Sequence, residues 1–279
     1  MSGHGFGRPA GGDRFLFGAR LPRIFSPGGW RRPGTYLWKR WILLLLGLAP
    51  AVWLPAQSAP AQETGKFLGE MTRAYAGISD YTCIFTKQER VHGDLLPQET
   101  IRLKFQKPFS VYMKWIAEPH KGQETLYRRG WNDGKLLAHP GSFPDITLSL
   151  NPDGRLAMRG NRHPVTTAGI GHTIEIVTRD YRRAMAHPAD SVRYADRGIV
   201  SVEGERSRCF EAIVPVAHAA DYYSHRALLC INLETHLPNR LKIWDAENRL
   251  IEFYQYLDVK TNVGLTAEDF DPENPRYDF

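Results

Sequence analysis

From Tyr81 onward, apolar side chains recur at every second position in short runs, and this period limits the possible folds more than any other feature. Between Glu99 and Phe105, the residues Ile101, Leu103 and Phe105 fall on one face, with Thr100, Arg102 and Lys104 on the other. Ser110 to Ile116 repeats the pattern with Val111, Met113 and Trp115. A period of two marks strands with one buried face. Similar runs span Tyr81 to Val91, Thr125 to Trp131, Lys135 to His139, Ile146 to Leu150, Gly198 to Gly204, Ser207 to Pro215, Arg226 to Leu233, Asn239 to Asp245 and Leu250 to Val259. Nearly all the links between them are of hairpin length, as at Asn132-Asp133-Gly134, so neighbouring strands are antiparallel.

Two segments break this period. Glu63 to Ile78 carries Phe67, Met71, Ala74, Tyr75 and Ile78 at helical spacing. Thr167 to Met185 carries Ile170, Ile174, Val177 and Tyr181, with Thr166 or Thr167 as the expected cap and His187-Pro188 as the stop. The expected fold is therefore α+β and mostly β. About ten antiparallel strands curl strongly into an unclosed barrel, with both helices on its concave face. Phe270 and Tyr277 are expected to pin the acidic C-terminal segment.

Charge divides the chain. Residues 1–61 hold eight of the 36 Lys and Arg and one of the 30 acids, which leaves 28 basic and 29 acidic residues in the remainder. The basic balance belongs to the first 61 residues, and no basic field remains to bind nucleic acid. Arg31, Arg32, Lys39 and Arg40 precede an apolar run from Trp41 to Trp53, and two small-x-small triplets follow, Ala56-Gln57-Ser58 and Ala59-Pro60-Ala61. This is the pattern of an export signal with cleavage near Ala61, which makes 1–61 a leader and 62–279 one domain in the periplasm or cell envelope. Membrane contact would come only through an uncleaved leader.

The three cysteines have no metal-knuckle spacing. Alternation leaves Cys209 and Cys230 on the outer faces of consecutive strands, so they are expected to bridge, while Cys83 shares the apolar face of Tyr81 and Phe85 and stays free. No nucleophile elbow, phosphate loop, zinc-protease helix or dinucleotide fingerprint occurs, and no residue pattern requires a cofactor or metal. His139 and His163 both precede proline in loops, and with Asp133 or Glu124 they form the one candidate acid–base or metal pair.

The runs from Tyr81 to Val91, Lys107 to Trp115, Asn132 to Pro140 and Met158 to Pro164 resemble an exported bacterial family of unknown function. The resemblance spans Phe67 to Phe279. That family is itself similar to the periplasmic lipoprotein carriers, the LolA/LolB-like group. The resemblance implies helices packed inside an unclosed barrel and an apolar cavity able to take acyl chains. It transfers no carrier's functional residue to this sequence.

Such a sheet offers more inner apolar surface than two helices cover. Phe85, Leu103, Phe105, Met113 and Trp115 on the strands, with Ile170, Ile174, Val177 and Tyr181 on the central helix, are the expected lining of a ligand cavity. Arg159, Asn161, Arg162 and His163 crowd one short loop before that helix. They tie a strand end to the helix start, or else they hold an anionic head group. Three functional readings follow. The first is a non-enzymatic envelope protein binding a lipid or a lipid-modified protein. The second is an envelope structural or protein-interaction module without a small ligand. The third is a hydrolase or metal site at His139 and His163.

Overall fold

The computed structural model describes residues 58–279, so the basic flank and apolar run of the leader lie outside the described residues. Helix α1 (Ala59–Ala76) leads into β1 (Asp80–Val91), β2 (Asp94–Leu95), β3 (Glu99–Gln106), β4 (Ser110–Trp115), β5 (Glu124–Arg128), β6 (Leu136–His139) and β7 (Leu148–Leu150). After helix α2 (Ile170–Ala186) come β8 (Arg193–Val202), β9 (Glu205–Ile213), β10 (Arg226–Asn232), β11 (Pro238–Trp244) and β12 (Leu250–Thr261). All twelve strands join one antiparallel sheet in the order β7-β6-β5-β4-β3-β1-β12-β11-β10-β9-β8, with β2 attached to β1. The sheet does not close. The strand added to the expected set is the two-residue β2.

This order has a geometric consequence. The chain leaves β1 by successive hairpins to the edge strand β7, yet resumes at the opposite edge, β8, before returning to β1 through β12. The segment between β7 and β8 must cross the whole sheet. Ten strand spacings of about 4.8 Å are too many for a helix of this length, which advances about 1.5 Å per residue. A loop therefore carries the first part of the crossing and α2 the second.

The inner face is the expected one. Ile101, Leu103, Phe105, Val111, Met113, Trp115, Leu229, Ile231, Leu241 and Ile243 share one core cluster with Phe67 and Met71 of α1 and with Ile170 and Ile174 of α2. The two helices meet closely at Gly65, where a Cβ would strike the Tyr181 ring. The Tyr181 hydroxyl there donates to the Ala61 carbonyl at 3.1 Å.

The start of α2 differs from expectation. Thr167 lies in a short 3-10 turn (Val165–Thr167), and the helix begins three residues later behind Gly169, whose φ is 103°. No threonine caps it. The Ile170 N–H instead donates to the Tyr81 hydroxyl at 2.9 Å, so a buried strand residue satisfies the helix end. Burial pushes the Tyr81 hydroxyl pKa well up, which keeps it neutral. A side chain at position 169 would need the same positive φ and would strike that hydroxyl.

The outer face is less bare than alternation alone suggests. Phe270 is 1 % exposed against Tyr112 and Leu126, and Tyr277 stacks on Tyr112 with ring centroids 3.9 Å apart. The C-terminal segment is thus pinned by the two expected aromatics and covers the outside of β3 to β5. Cys209 and Cys230 sit opposite each other on β9 and β10 and are bridged. They lie beneath Val202, Leu228 and Leu257, away from the main core. Cys83 is free and buried in that core, and burial raises its thiol pKa.

Two outcomes follow. With the bridged cysteines 21 positions apart in sequence, Cys209→Ser lowers unfolding free energy by about 3 kcal/mol on the chain-entropy model. Equilibrium denaturation checks this, and a loss below roughly 1 kcal/mol contradicts it. Gly169→Ala costs roughly 2 kcal/mol through strain and overlap with Tyr81, whereas Gly93→Ala, with open space around it, costs less.

Candidate functional site

Alternation on β1 places Lys87 and Glu89 on the same inner face as Tyr81, Cys83 and Phe85. Register then assembles a charged patch. Lys87 stands opposite Glu99 on β3 and Tyr254 on β12, while Glu89 stands opposite Glu252. All four charged residues are buried, and Glu252 has no exposed surface at all. Charges removed from water need close partners, because desolvation costs several kcal/mol per ion.

The partners come from the crossing loop, the loop before β10 and the sheet itself. Lys87 Nζ lies 3.5 Å from Glu89 and 3.7 Å from Glu99, and it donates to the Asn161 side-chain oxygen. The Arg162 backbone N–H donates to Glu89 Oε2 at 2.9 Å. Its guanidinium donates to Glu252 Oε1 at 2.7 Å and to the Arg90 carbonyl at 3.1 Å. Tyr223 donates to the same Glu252 oxygen at 2.7 Å, and His163 Nε2 lies 3.1 Å from it and 2.6 Å from the Tyr223 hydroxyl. Tyr254 donates to Glu89, and Trp115 to Glu99. Burial pushes the Glu252 carboxyl up, but the bonds from His163, Tyr223 and Arg162 outweigh it and hold the group below the usual carboxylate range. Burial and the adjacent carboxylates push the Tyr223 and Tyr254 hydroxyls up, so both remain neutral donors.

The loop so fastened roofs a cavity of about 640 Å³. Its sheet wall is Phe85, Ile101, Met113, Trp115, Leu136 and Leu150, and its roof includes Leu156, Ala157 and Val165. The polar end carries Lys87, Glu89, Asn161, His163 and His172. Burial and the neighbouring His163 lower the His172 pKa and favour the neutral ring. Arg159 lines the cavity too, but its side chain is exposed and makes no hydrogen bond or ion pair among the described residues.

Of the expected lining residues, the structure brings Phe85, Met113 and Trp115 to this cavity together with Arg159, Asn161 and His163. Leu103, Phe105, Ile170 and Ile174 pack into the core instead. Val177 and Tyr181 border a separate space of about 60 Å³ under the later half of α2. Arg162 turns away from the cavity toward Glu252. The charged inner patch went unrecognised in the sequence, although the parity of Lys87 and Glu89 with Phe85 signals it.

His139 and His163 both reach the cavity, but each is engaged elsewhere. His139 Nε2 lies 2.8 Å from Asp145, and His163 is held by Glu252 and Tyr223. Glu124 pairs with Lys114 at 2.5 Å, and Asp133 sits in an exposed turn. Among the described residues, no three His, Cys, Asp or Glu side chains converge to hold a metal. No described helix is long and apolar enough to cross a membrane.

A family model described as a protein of unknown function, DUF1571, matches residues 78–279. No curated protein matches the chain. Among the solved structures similar to it are the following three. One is a DUF1329 family protein from Desulfovibrio piger, with 12 % identity, 77 % of this chain and 98 % of that one covered, and a TM-score of 0.38. Another is a putative outer membrane lipoprotein-sorting protein domain from Vibrio parahaemolyticus, at 11 %, 74 %, 97 % and 0.34. The third is lipoprotein LppX from Mycobacterium tuberculosis, at 11 %, 74 %, 99 % and 0.43. The expected resemblance to a family of unknown function is borne out by the family match.

The latch generates a stability prediction. Arg162→Gln removes one partner of a buried carboxylate and costs on the order of 2 kcal/mol, less than a fully buried pair because Arg162 is about one-third exposed. Arg159→Gln changes stability by less than about 0.5 kcal/mol. Because the folded pKa of Glu252 is depressed, its contribution is complete above the unfolded value of about 4.3 and is lost as pH falls through the folded one. The gap between wild type and Arg162→Gln therefore narrows in acid. Denaturant titrations at neutral and acidic pH measure it, and a gap that widens in acid contradicts the assignment.

Proposed function

The chain belongs to the DUF1571 family, and for this member we propose a non-enzymatic cell-envelope protein whose cavity takes the acyl chain of a lipid or of a lipid-modified protein. The observation that carries this reading is the roofed cavity of about 640 Å³, walled by Phe85, Ile101, Met113, Trp115 and Leu136. Its size lies within the roughly 300–1,000 Å³ of small-molecule sites, and its mix of apolar wall and polar groups suits an amphiphile. Each methylene moved from water into such a wall contributes about 0.8 kcal/mol. His139 and His163, the candidate acid–base pair, are already tied to Asp145 and to Glu252 and Tyr223, which favours binding over hydrolysis.

Export through the leader fits this role. Helix α1 begins at Ala59 and buries Ala61 beneath the Tyr181 contact, and Glu63 pairs with Arg208 at 3.1 Å. Of the two small-x-small triplets, cleavage after Ser58 keeps this helix whole, and we assign processing there. The intact mass of the exported protein should begin at Ala59; a species beginning at Gln62 argues for the later triplet.

Ligand occupancy is read from thermal stability. An acyl ligand should raise Tm with the logarithm of its concentration once well above Kd. Ala138 lines the cavity from β6, so Ala138→Trp fills the space with an indole and should abolish the shift while leaving the protein folded. A folded Ala138→Trp variant with an unchanged acyl shift contradicts the reading. Absence of any shift in wild type favours an interaction module without a small ligand.

A further inference from the structure

We propose that the cavity selects amphiphiles with an anionic oxyacid head, and that Arg159 is the specificity-determining residue; this rests on the acyl-binding reading above.

Three cations belong to β1 and the crossing loop around the cavity, and they are not equivalent. Lys87 is enclosed by Glu89, Glu99 and Asn161. Arg162 is consumed by Glu252 and the Arg90 carbonyl. The carboxylates of the patch point to those partners and to Tyr254, Trp115 and Tyr223. None pairs with Arg159, a residue that lines the same cavity and whose side chain has no polar partner among the described residues. Arg159 is thus a permanent positive charge with no counter-ion among the described residues at the lining of a largely apolar space.

A second observation points to a ligand in the same cavity. Nε2 of His172, which also lines the cavity, is buried and has no hydrogen-bond partner. Buried polar atoms are nearly always paired, so an orphan beside a cavity marks a place where a bound group completes the bonding. The guanidinium can only donate, while the His172 ring, neutral and with Nδ1 turned to Glu175, offers Nε2 as an acceptor for a head-group O–H. Guanidinium presents its N–H groups as a planar fork that matches carboxylate or phosphate oxygens, and it offers nothing to an ammonium head. The tail then lies along Met113, Trp115 and Leu136, with the head at Arg159.

Four probes with one tail length separate the possibilities: dodecanoate, dodecyl phosphate, dodecanol and dodecylammonium, titrated against the mature protein at neutral pH and moderate salt. Wild type should bind the two anions about tenfold more tightly than the alcohol, the gain of a charge-assisted contact. The ammonium should bind more weakly than the alcohol. Arg159→Gln should bring the anions down to the alcohol's affinity, leave alcohol affinity and Tm unchanged, and regain part of the preference as Arg159→Lys. The ratio of dodecanoate to dodecyl phosphate tells a fatty-acid head from a phospholipid-type head. An anion preference that survives Arg159→Gln overturns the proposal while the acyl reading stands. If wild type binds neither the anions nor the alcohol, the acyl reading fails and this one with it.

Discussion

Glu252 is a carboxylate with no exposed surface, placed by its strand on the concave face of a mostly apolar sheet. It faces Glu89 across β1 and β12, so two like charges would repel in a poorly screened interior unless cations and donors met them there. The crossing loop brings Arg162 and His163, the loop before β10 brings Tyr223, and the sheet adds Tyr254. This requirement determines where the loop lies. The loop's position in turn determines the roof of the cavity and the point from which α2 starts. Breaking any one partnership leaves a buried charge exposed to its neighbours, so the latch acts as a unit.

The topology explains why one loop carries so much. Because β7 and β8 lie at opposite edges, residues 151–169 have to traverse the half of the sheet that α2 does not cover. An apolar loop crossing an apolar face would simply collapse onto it. Here the loop is fastened at its far end by charged bonds to β1 and β12, and its apolar residues Leu156, Ala157 and Val165 line the cavity. Gly169 and Tyr81 then turn the chain into the helix. A cavity persists between wall and roof because the fastening is ionic and lateral, not apolar and vertical.

Much of this was legible in the residues. Alternation placed Phe85, Ile101, Met113, Trp115 and their neighbours on one face, and the same parity put Cys209 opposite Cys230 and left Cys83 alone in the core. Phe270 and Tyr277 announced the pinned C-terminus. What escaped depends on contacts distant in sequence. The partners of Glu89 and Glu252 lie 73 and 90 residues away at Arg162, and the cap of α2 comes from Tyr81, 89 residues from Ile170. A threonine cap was the local expectation, and tertiary packing overrode it. The apolar stripe of α2 was recognisable, but its rotation about the helix axis was not; Ile174 faces the packed core, and the cavity opens beside the helix start instead.

The central claim is that the space between sheet and loop is an acyl site. A chain-length series measured by isothermal titration tests it most directly, with saturated carboxylates lengthened two methylenes at a time below their aggregation limits. Each added methylene should raise affinity about fourfold, the equivalent of roughly 0.8 kcal/mol, with a negative heat-capacity change, until the chain fills the cavity and the gain stops. Affinity independent of chain length, or no binding at any length, would contradict it.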